Sequence, residues 1–208
     1  MTLSTRSSAS SRTSVRYFKI KLLGDEADRE RIIVDKRPDG LDGWDFCMAQ
    51  GERIGDKYPL DARVYLRDQY PGLKLTDFIS NTVSYLITSE PMMNVIKTHA
   101  NLEIEYLPLS IYNHRKRLHA ANYWIINPIG TTDCLDLSRS ILMRGEETGE
   151  ITMVNEYAFL GDRLKELRPS ILRVKETPWA IFVDEPTARS FHEQKMTNIR
   201  IEIVPCSE

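Results

Sequence analysis

The sequence predicts an α+β fold: a mixed, largely antiparallel sheet with a few short helices in a single domain. The chain has 208 residues, of which 41% are hydrophobic and 28% charged, the size and composition of one ordinary globular domain. Several short segments alternate apolar and polar residues with a period of two, as strands do. These segments outnumber the helical ones, and their short connections favour antiparallel neighbours.

The charge balance gives the chain no global attraction to polyanions. Lys and Arg total 28 against 30 Asp and Glu, for a formal charge of −2, so we expect no binding to nucleic acid or to a membrane. No apolar run approaches the roughly 18 residues of a membrane span, and the N-terminus lacks the apolar core of a signal peptide. Three widely spaced cysteines, Cys47, Cys134 and Cys206, indicate a reducing compartment. We therefore expect a cytoplasmic protein.

Residues 1–15 are predicted to form a disordered tail ahead of a folded domain over residues 16–208. Residues 2–14 are almost entirely Ser, Thr, Ala and Arg with a single Leu, so burial of apolar surface cannot offset the entropy of ordering them. The Arg and Ser content is also typical of an organelle transit peptide, but the amphipathic apolar face of such peptides is missing.

The folded part begins with a strand. Tyr17 and Lys19 alternate with Phe18, Ile20 and Leu22, which predicts a half-buried strand. An acidic turn follows and leads to a short apolar segment. After it, glycine and proline recur often up to residue 72, so we expect loops, turns and short strands there rather than long helices.

Two later segments repeat one plan of strand, capped helix and strand. One is centred on Ser89 and the other on Asp184, and in each the cap is followed by Glu and Pro. Ser and Asp are good N-caps, Glu suits the positive end of the helix dipole, and Pro fits the first turn. Asn101 and Asn198 follow the two helices, where left-handed backbone geometry is expected. Duplication and common capping chemistry both account for the repeat.

A basic cluster separates two alternating strands in the second half of the chain. It runs from His114 to His119 and encloses three cations. We interpret it as a solvated hairpin tip, with contact to phosphates as the alternative. The enclosed cations disfavour a metal held by the two histidines. Further strands are expected at residues 122–127 and 149–157.

The sequence carries no recognisable catalytic or cofactor motif. It lacks the phosphate loop GxxxxGK[ST], the HExxH pair, the GxSxG elbow and the CxxC pair. Glu103 and Glu105 alternate with apolar residues, which places both carboxylates on the solvent face of a strand rather than in a glycosidase-like pair. We expect no enzyme activity, no catalytic residue, no cofactor and no metal.

Cys134 is the one nucleophile that needs a separate argument. It lies between Asp133 and Asp136, and nearby negative charge opposes the thiolate that catalysis requires. We interpret Cys134 as a buried structural residue, with Asp136 or Ser138 capping a short helical turn. A small enzyme that uses Cys134 as its nucleophile is the rival hypothesis.

Several of these segments together resemble the bacterial immunity proteins encoded beside polymorphic toxins, including those of myxobacterial type. The resemblance spans about residues 16 to 205 and rests on the order and spacing of several segments. They are Tyr17-Phe18, the stretch from Asp77-Phe78-Ile79 to Ser89-Glu90, Tyr123-Trp124-Ile125-Ile126-Asn127, Thr132-Asp133-Cys134-Leu135-Asp136 followed by Ser138 and Ser140, and the C-terminal strand and capped helix that contain Asp184-Glu185. Two positions depart from the family pattern. Thr132 stands where an apolar residue is usual, and Asp184 stands where Ser is usual.

This resemblance implies a cytoplasmic protein that binds a cognate toxin and neutralises it by occluding its active site. Toxins of this kind often attack nucleic acids and present basic grooves, so acidic loops would steer association. The partner-binding candidates are Asp25, Glu26, Asp28, Glu146, Glu147 and Glu150. Solvated turns explain the same carboxylates without a partner. A regulatory or scaffold module whose tail folds onto a partner is the alternative from another class.

Overall fold

The computed structural model describes residues 15–41 and 43–207. The described part contains four helices: α1 Cys47–Gln50, α2 Glu90–His99, α3 Gly161–Leu167 and α4 Glu185–Glu193. It also contains twelve strands: β1 Tyr17–Ile20, β2 Ile33–Val34, β3 Arg63–Tyr65, β4 Ser80–Asn81, β5 Leu86–Ser89, β6 Ile104–Tyr112, β7 Leu118–Pro128, β8 Ile141–Arg144, β9 Ile151–Glu156, β10 Ile171–Val174, β11 Thr177–Asp184 and β12 Ile201–Val204. The predicted α+β class is confirmed.

The predicted tail, residues 1–15, lies outside the described residues except for Val15. The division into tail and domain therefore stays a prediction. The region from Pro38 to Gly72 contains α1, a 3-10 turn at Gly55–Lys57 and the short strand β3, which confirms the expectation of loops, turns and short strands there.

The first large sheet is antiparallel and has the strand order β10-β11-β1-β12. Its central strand β1 is covered on both faces, because Tyr17 and Ile20, which point to opposite faces, are 1% and 2% exposed. The prediction of a half-buried strand was therefore wrong. Helices α2 and α4 cover one face, and the segment that contains Phe159, together with α3, covers the other.

The second large sheet has the order β3-β6-β7-β5, and only β3 runs parallel to its neighbour. Strands β6 and β7 form a long hairpin whose tip is the predicted basic turn. Asn113 Oδ1 accepts hydrogen bonds from the N–H groups of Arg115 and Arg117 at 2.9 and 3.1 Å, and Lys116 has a left-handed φ of 55°. The hairpin prediction is confirmed. Two small sheets, β2-β4 and β8-β9, complete the fold.

The repeated strand-helix-strand plan is present as β5-α2-β6 and β11-α4-β12. In each unit the two strands are parallel and enclose one antiparallel strand, β7 in the first unit and β1 in the second. Both predicted caps form, since Ser89 Oγ accepts from Met92 N–H at 3.4 Å and Asp184 Oδ1 accepts from Thr187 N–H at 3.0 Å. Duplication stays a hypothesis. The two units share a topology as well as a sequence pattern.

The two asparagines after these helices differ. Asn198 has the expected left-handed φ, 61°. Asn101 does not, so that prediction was wrong: its side chain instead bridges two backbone groups, accepting from Ser170 N–H at 2.8 Å and donating to the Arg168 carbonyl at 2.5 Å. Asn101 thus joins the end of α2 to the segment between α3 and β10.

The two units share one hydrophobic core. Met92 and Ile96 of α2 pack with Ala188 and Phe191 of α4 in a cluster that also includes residues of both large sheets. A second cluster lies between the second sheet and α1, and a third lies under the β8-β9 hairpin. The helices therefore join the two sheets into a single body.

Glu105 corrects one of the sequence-based expectations. It is only 9% exposed, and its carboxylate accepts hydrogen bonds from the N–H groups of Ile54 and Gly55 at 3.0 and 2.9 Å and from Asn127 Nδ2 at 3.0 Å. The expectation of a solvated Glu105 was wrong. The loop that follows α1 folds over this face of β6 and supplies donors that alternation along one strand does not reveal.

Candidate partner-binding surface

The first group of predicted acidic residues, Asp25, Glu26 and Asp28, lies in the turn between β1 and β2. Asp25 Oδ2 accepts from an Arg200 N–H at 2.6 Å, and Asp28 Oδ2 accepts from Lys74 Nζ at 2.7 Å. The hydrogen bond from Lys74 holds the pKa of Asp28 below its usual range. Two of the three carboxylates are therefore engaged within the molecule, where they fix the course of the turn.

Glu26 is placed differently. Its carboxylate forms no ion pair with a described residue. It lines an open groove of about 450 Å³ together with Met153, Tyr157 and Trp179. Lys19 also lines this groove, with Nζ 4.6 Å from the centroid of the Tyr157 ring, and burial lowers the pKa of that amine.

The second acidic group, Glu146, Glu147 and Glu150, lies at the tip of the β8-β9 hairpin. The tip is closed by hydrogen bonds from Gly145 N–H to the Glu150 carbonyl and from Gly149 N–H to the Gly145 carbonyl, both 2.9 Å. All three glutamates are exposed, and none forms an ion pair with any residue that the structure describes.

The structure does not gather the six carboxylates into one cluster. Glu26 from the first turn and Met153 from the hairpin line the same depression. Among the six predicted residues, Glu26 and the three glutamates of the hairpin tip are exposed and have no ion pair with a described residue.

The hairpin that carries this tip has one buried and one exposed side. Leu142 pairs with Val154, and both contact the third core cluster. Met143 pairs with Met153, and each is 51% exposed, while Ile141 is 50% exposed. Adjacent exposed apolar side chains rimmed by charge are typical of a protein-binding site. We call Ile141, Met143, Met153 and the three tip glutamates the hairpin surface.

A second exposed apolar group lies on the two loops around α1. Trp44 is 42% exposed, Phe46 47% and Leu60 104%, and Lys57 Nζ lies over the Trp44 ring, so the two loops are in contact. We call Trp44, Phe46 and Leu60 the loop surface. This surface was not predicted from the sequence, where its only signal is a pair of aromatic residues in a segment rich in Gly and Asp.

Cys134 lies in the core and is 0% exposed. Burial raises the pKa of its thiol to about 12, with smaller contributions from nearby acidic groups. A protonated and inaccessible thiol is a poor nucleophile. The interpretation of a buried structural cysteine is confirmed, and so is the cap after it: Asp136 Oδ1 accepts from the N–H groups of Ser138 and Arg139 at 3.0 and 3.3 Å.

The paired histidines each contact a backbone carbonyl. His114 Nε2 is 3.0 Å from the Tyr70 carbonyl, and His119 Nε2 is 2.9 Å from the Leu73 carbonyl. A carbonyl only accepts, so both rings donate from Nε2. Within residues 15–41 and 43–207, no three His, Cys, Asp or Glu side chains are grouped in a way that could hold a metal ion.

The fold exposes two groups of adjacent apolar side chains, a feature typical of protein-binding surfaces. Residues 23–204 match the model of the immunity protein family Imm11. Because this match covers most of the sequence, the chain belongs to the Imm11 immunity protein family. The sequence matches no curated protein. The resemblance to bacterial immunity proteins is thus confirmed, while the role of residues 133–136 as a family signature stays a prediction.

Family membership gives the chain a toxin-neutralising immunity function and a toxin protein as its binding partner. It also suggests an inhibitor that acts without catalysis, in agreement with the buried thiol. No helix among the described residues is long and apolar enough to cross a membrane.

Proposed function

We propose that the chain neutralises its cognate toxin by steric occlusion, with the hairpin surface placed over the toxin's active site. The exposed side of the β8-β9 hairpin is the observation that carries this proposal. Ile141, Met143 and Met153 present apolar area next to three glutamates with no ion pair among the described residues. The apolar part supplies binding free energy, and the charged tip selects the partner.

The tip favours a cationic groove as its target. Three glutamates on six residues, 145–150, concentrate negative charge at the end of a projecting element, while Arg144 is turned back to the Gly149 carbonyl at 2.8 Å. Such a field accelerates association with a basic surface and opposes association with an acidic one. Glu26 adds one carboxylate at the groove, which Lys19 also lines, and Asp25 and Asp28 hold the turn that carries it.

Neutralising the tip tests the electrostatic part of the proposal. Glu146→Gln, Glu147→Gln and Glu150→Gln combined should slow association with the inactivated toxin encoded beside this chain by about tenfold at low salt. The rate should also depend less on salt than in the unaltered protein. Stopped-flow mixing measures both quantities.

The matched control removes the same charge elsewhere, by Asp68→Asn, Glu166→Gln and Glu193→Gln, all at exposed positions. Thermal unfolding should be unchanged in both triple variants, because the tip glutamates form no ion pairs among the described residues. If the control slows association as much as the tip variant does, the tip has no special part in binding.

Occlusion requires that the toxin cannot bind its substrate and this chain at the same time. A substrate analogue bound in the toxin's active site should compete with this chain, so saturating analogue should raise the apparent Kd in proportion to its concentration. Calorimetric titration of the toxin with and without analogue measures this. If toxin, analogue and this chain form a ternary complex with unchanged affinity, the chain binds away from the active site and the occlusion proposal is wrong.

A further inference from the structure

Side-chain hydrogen bonds hold the backbone that carries the loop surface. Tyr85 Oη donates to the Asp45 carbonyl between the two aromatic residues. Arg173, 1% exposed, donates to the carbonyls of Met48 and Ala49 in α1 at 2.7 and 3.2 Å. On the second loop, Tyr58 Oη donates to the Pro108 carbonyl at 2.7 Å. Four hydrogen bonds, three of them buried or half-buried, thus fix α1 and the adjoining loops, whose tips expose apolar side chains.

Fixed exposed aromatic residues are suited to binding. A few residues, Trp prominent among them, dominate the binding energy of protein interfaces, and a scaffold that is already ordered loses little further entropy when a partner binds. A solvated loop needs neither the anchors nor the exposed Trp44, Phe46 and Leu60. The anchors therefore indicate a surface that is kept in position for a partner.

The hairpin surface is too small to hold a protein partner by itself. The hairpin spans sixteen residues, 141 to 156, whereas a stable interface uses roughly 20 to 30 residues on each side. The same toxin must therefore contact further surface next to the hairpin.

The loop surface is connected to the hairpin through the start of β11. The Arg173 guanidinium that holds α1 also donates to the Pro178 carbonyl at 2.5 Å. The next residue, Trp179, is 38% exposed and lines the groove that Met153 of the hairpin also lines. Met153 and Trp179 therefore expose apolar area at the same groove, and buried Arg173 holds the start of β11, which carries Trp179, against α1.

The loop surface carries charges of both signs. Asp39 and Asp56 are exposed and form no ion pair with a described residue. Lys57 Nζ lies over the Trp44 ring and keeps its positive charge. A partner whose cationic residues face Asp39, Asp56 and the hairpin tip is complementary to both surfaces.

We infer that the loop surface is a second anchor for the same toxin, with Trp44, Phe46 and Leu60 inserted into apolar pockets beside the cationic groove that receives the hairpin tip. This inference rests on the proposed function, because it takes the toxin to be the partner of the hairpin. The two surfaces then have different kinetic roles. The hairpin tip sets the association rate, and the loop surface sets the dissociation rate.

Alanine substitutions at the loop surface test the inference. Trp44→Ala, Phe46→Ala and Leu60→Ala should each raise the Kd for the inactivated toxin encoded beside this chain at least tenfold, mainly through faster dissociation. The matched control is Leu73→Ala, another exposed leucine. Its carbonyl contacts His119 in the β6-β7 hairpin. It should leave the Kd within twofold. Surface plasmon resonance measures the rates, and circular dichroism confirms that each variant is folded.

The outcomes separate this inference from the proposed function. If the three loop variants bind within twofold of the unaltered chain while the tip variant associates slowly, the loop surface is not an anchor and the hairpin proposal stands. If the tip variant binds normally and the loop variants bind weakly, the hairpin proposal fails and the loop surface is itself the binding site. Weak binding by the Leu73→Ala control would also overturn the inference, because the effect would then be general to exposed leucines.

Discussion

Burial decides the role of single polar side chains in this protein. Arg173 is enclosed by four backbone carbonyls from residues 48, 49, 128 and 178. Burial lowers the pKa of its guanidinium to about 10, so the side chain stays protonated at neutral pH. Arg173 therefore holds α1, β7 and β11 together through its positive charge. The sequence of β10 alone does not predict this role.

Cys134 should make the protein less stable at alkaline pH. The pKa of its thiol is about 12 in the folded state and returns to 9.0 on unfolding. Below pH 9 both states are protonated and nothing is lost. Between pH 9 and 12 only the unfolded state loses its proton, so the unfolding free energy falls by up to about 1.4 kcal/mol per pH unit. Urea titrations from pH 8 to 11 measure this slope.

Cys134→Ala is the control for that slope. Burial also raises the pKa of several tyrosines, including Tyr58 and Tyr85, so both proteins lose stability at high pH. The variant should lose it less steeply, because its alanine does not titrate. Equal slopes in the two proteins would contradict a buried thiol at residue 134.

At the scale of elements, the two strand-helix-strand units could be predicted because helix capping depends on residues that are close in sequence. Ser89 and Asp184 lie within three residues of the N–H groups that they accept, so neighbouring sequence specifies the bond. The β8 strand was not predicted, because Ile141–Arg144 has only Leu142 directed at the core while its neighbours are exposed. Alternation needs two or more buried positions to be visible in a sequence.

The two caps give a quantitative test at this scale. Ser89→Ala and Asp184→Ala should each lower the unfolding free energy by about 1 kcal/mol, because an N–H in the first turn loses its acceptor. The loss should be larger for Ser89, whose Oγ also donates to Asp77 Oδ1 at 2.7 Å. Chemical denaturation provides the values. Thr98→Ala, on the exposed side of α2, serves as the control and should change stability little.

At the scale of the whole molecule, one carboxylate latches the two units together. Asp77 Oδ1 accepts from Ser89 Oγ at the start of α2, and its Oδ2 accepts from Thr197 N–H and Oγ1, after α4, at 2.8 and 2.7 Å. Next to it, Asn198 donates to the Phe78 carbonyl at 2.8 Å. The shared helical core is thus closed at one end by a small polar network.

This latch should make the protein sensitive to acid. Burial opposes ionisation of Asp77, but hydrogen bonds from Thr197 and Ser89 outweigh it and hold the pKa of Asp77 below its usual value of 3.8. Its contribution is complete above pH 3.8 and is lost as the pH falls through the lower folded value. Asp77→Asn should therefore cost about 1 kcal/mol at pH 7 and much less at pH 2. A cost that is equal at both pH values would show that Asp77 does not act through its charge.

The sequence identified the acidic residues of the candidate site but could not rank them. Asp25 and Asp28 are paired with Arg200 and Lys74, residues that are distant in sequence, so their engagement was invisible. The glutamates at the hairpin tip have no such partners among the described residues. Local composition predicts where charge lies, and only the folded chain determines which charges are already neutralised.

By itself the sequence determined the α+β class, the two capped helices, the basic hairpin tip and the resemblance to immunity proteins, because each depends on residues that are close together along the chain. Only the tertiary structure decided that Glu105 is buried, that β1 is covered on both faces and that Trp44, Phe46 and Leu60 are exposed on anchored loops. Exposure depends on which distant segments pack over a residue, and the order of residues along one strand or loop does not contain that information.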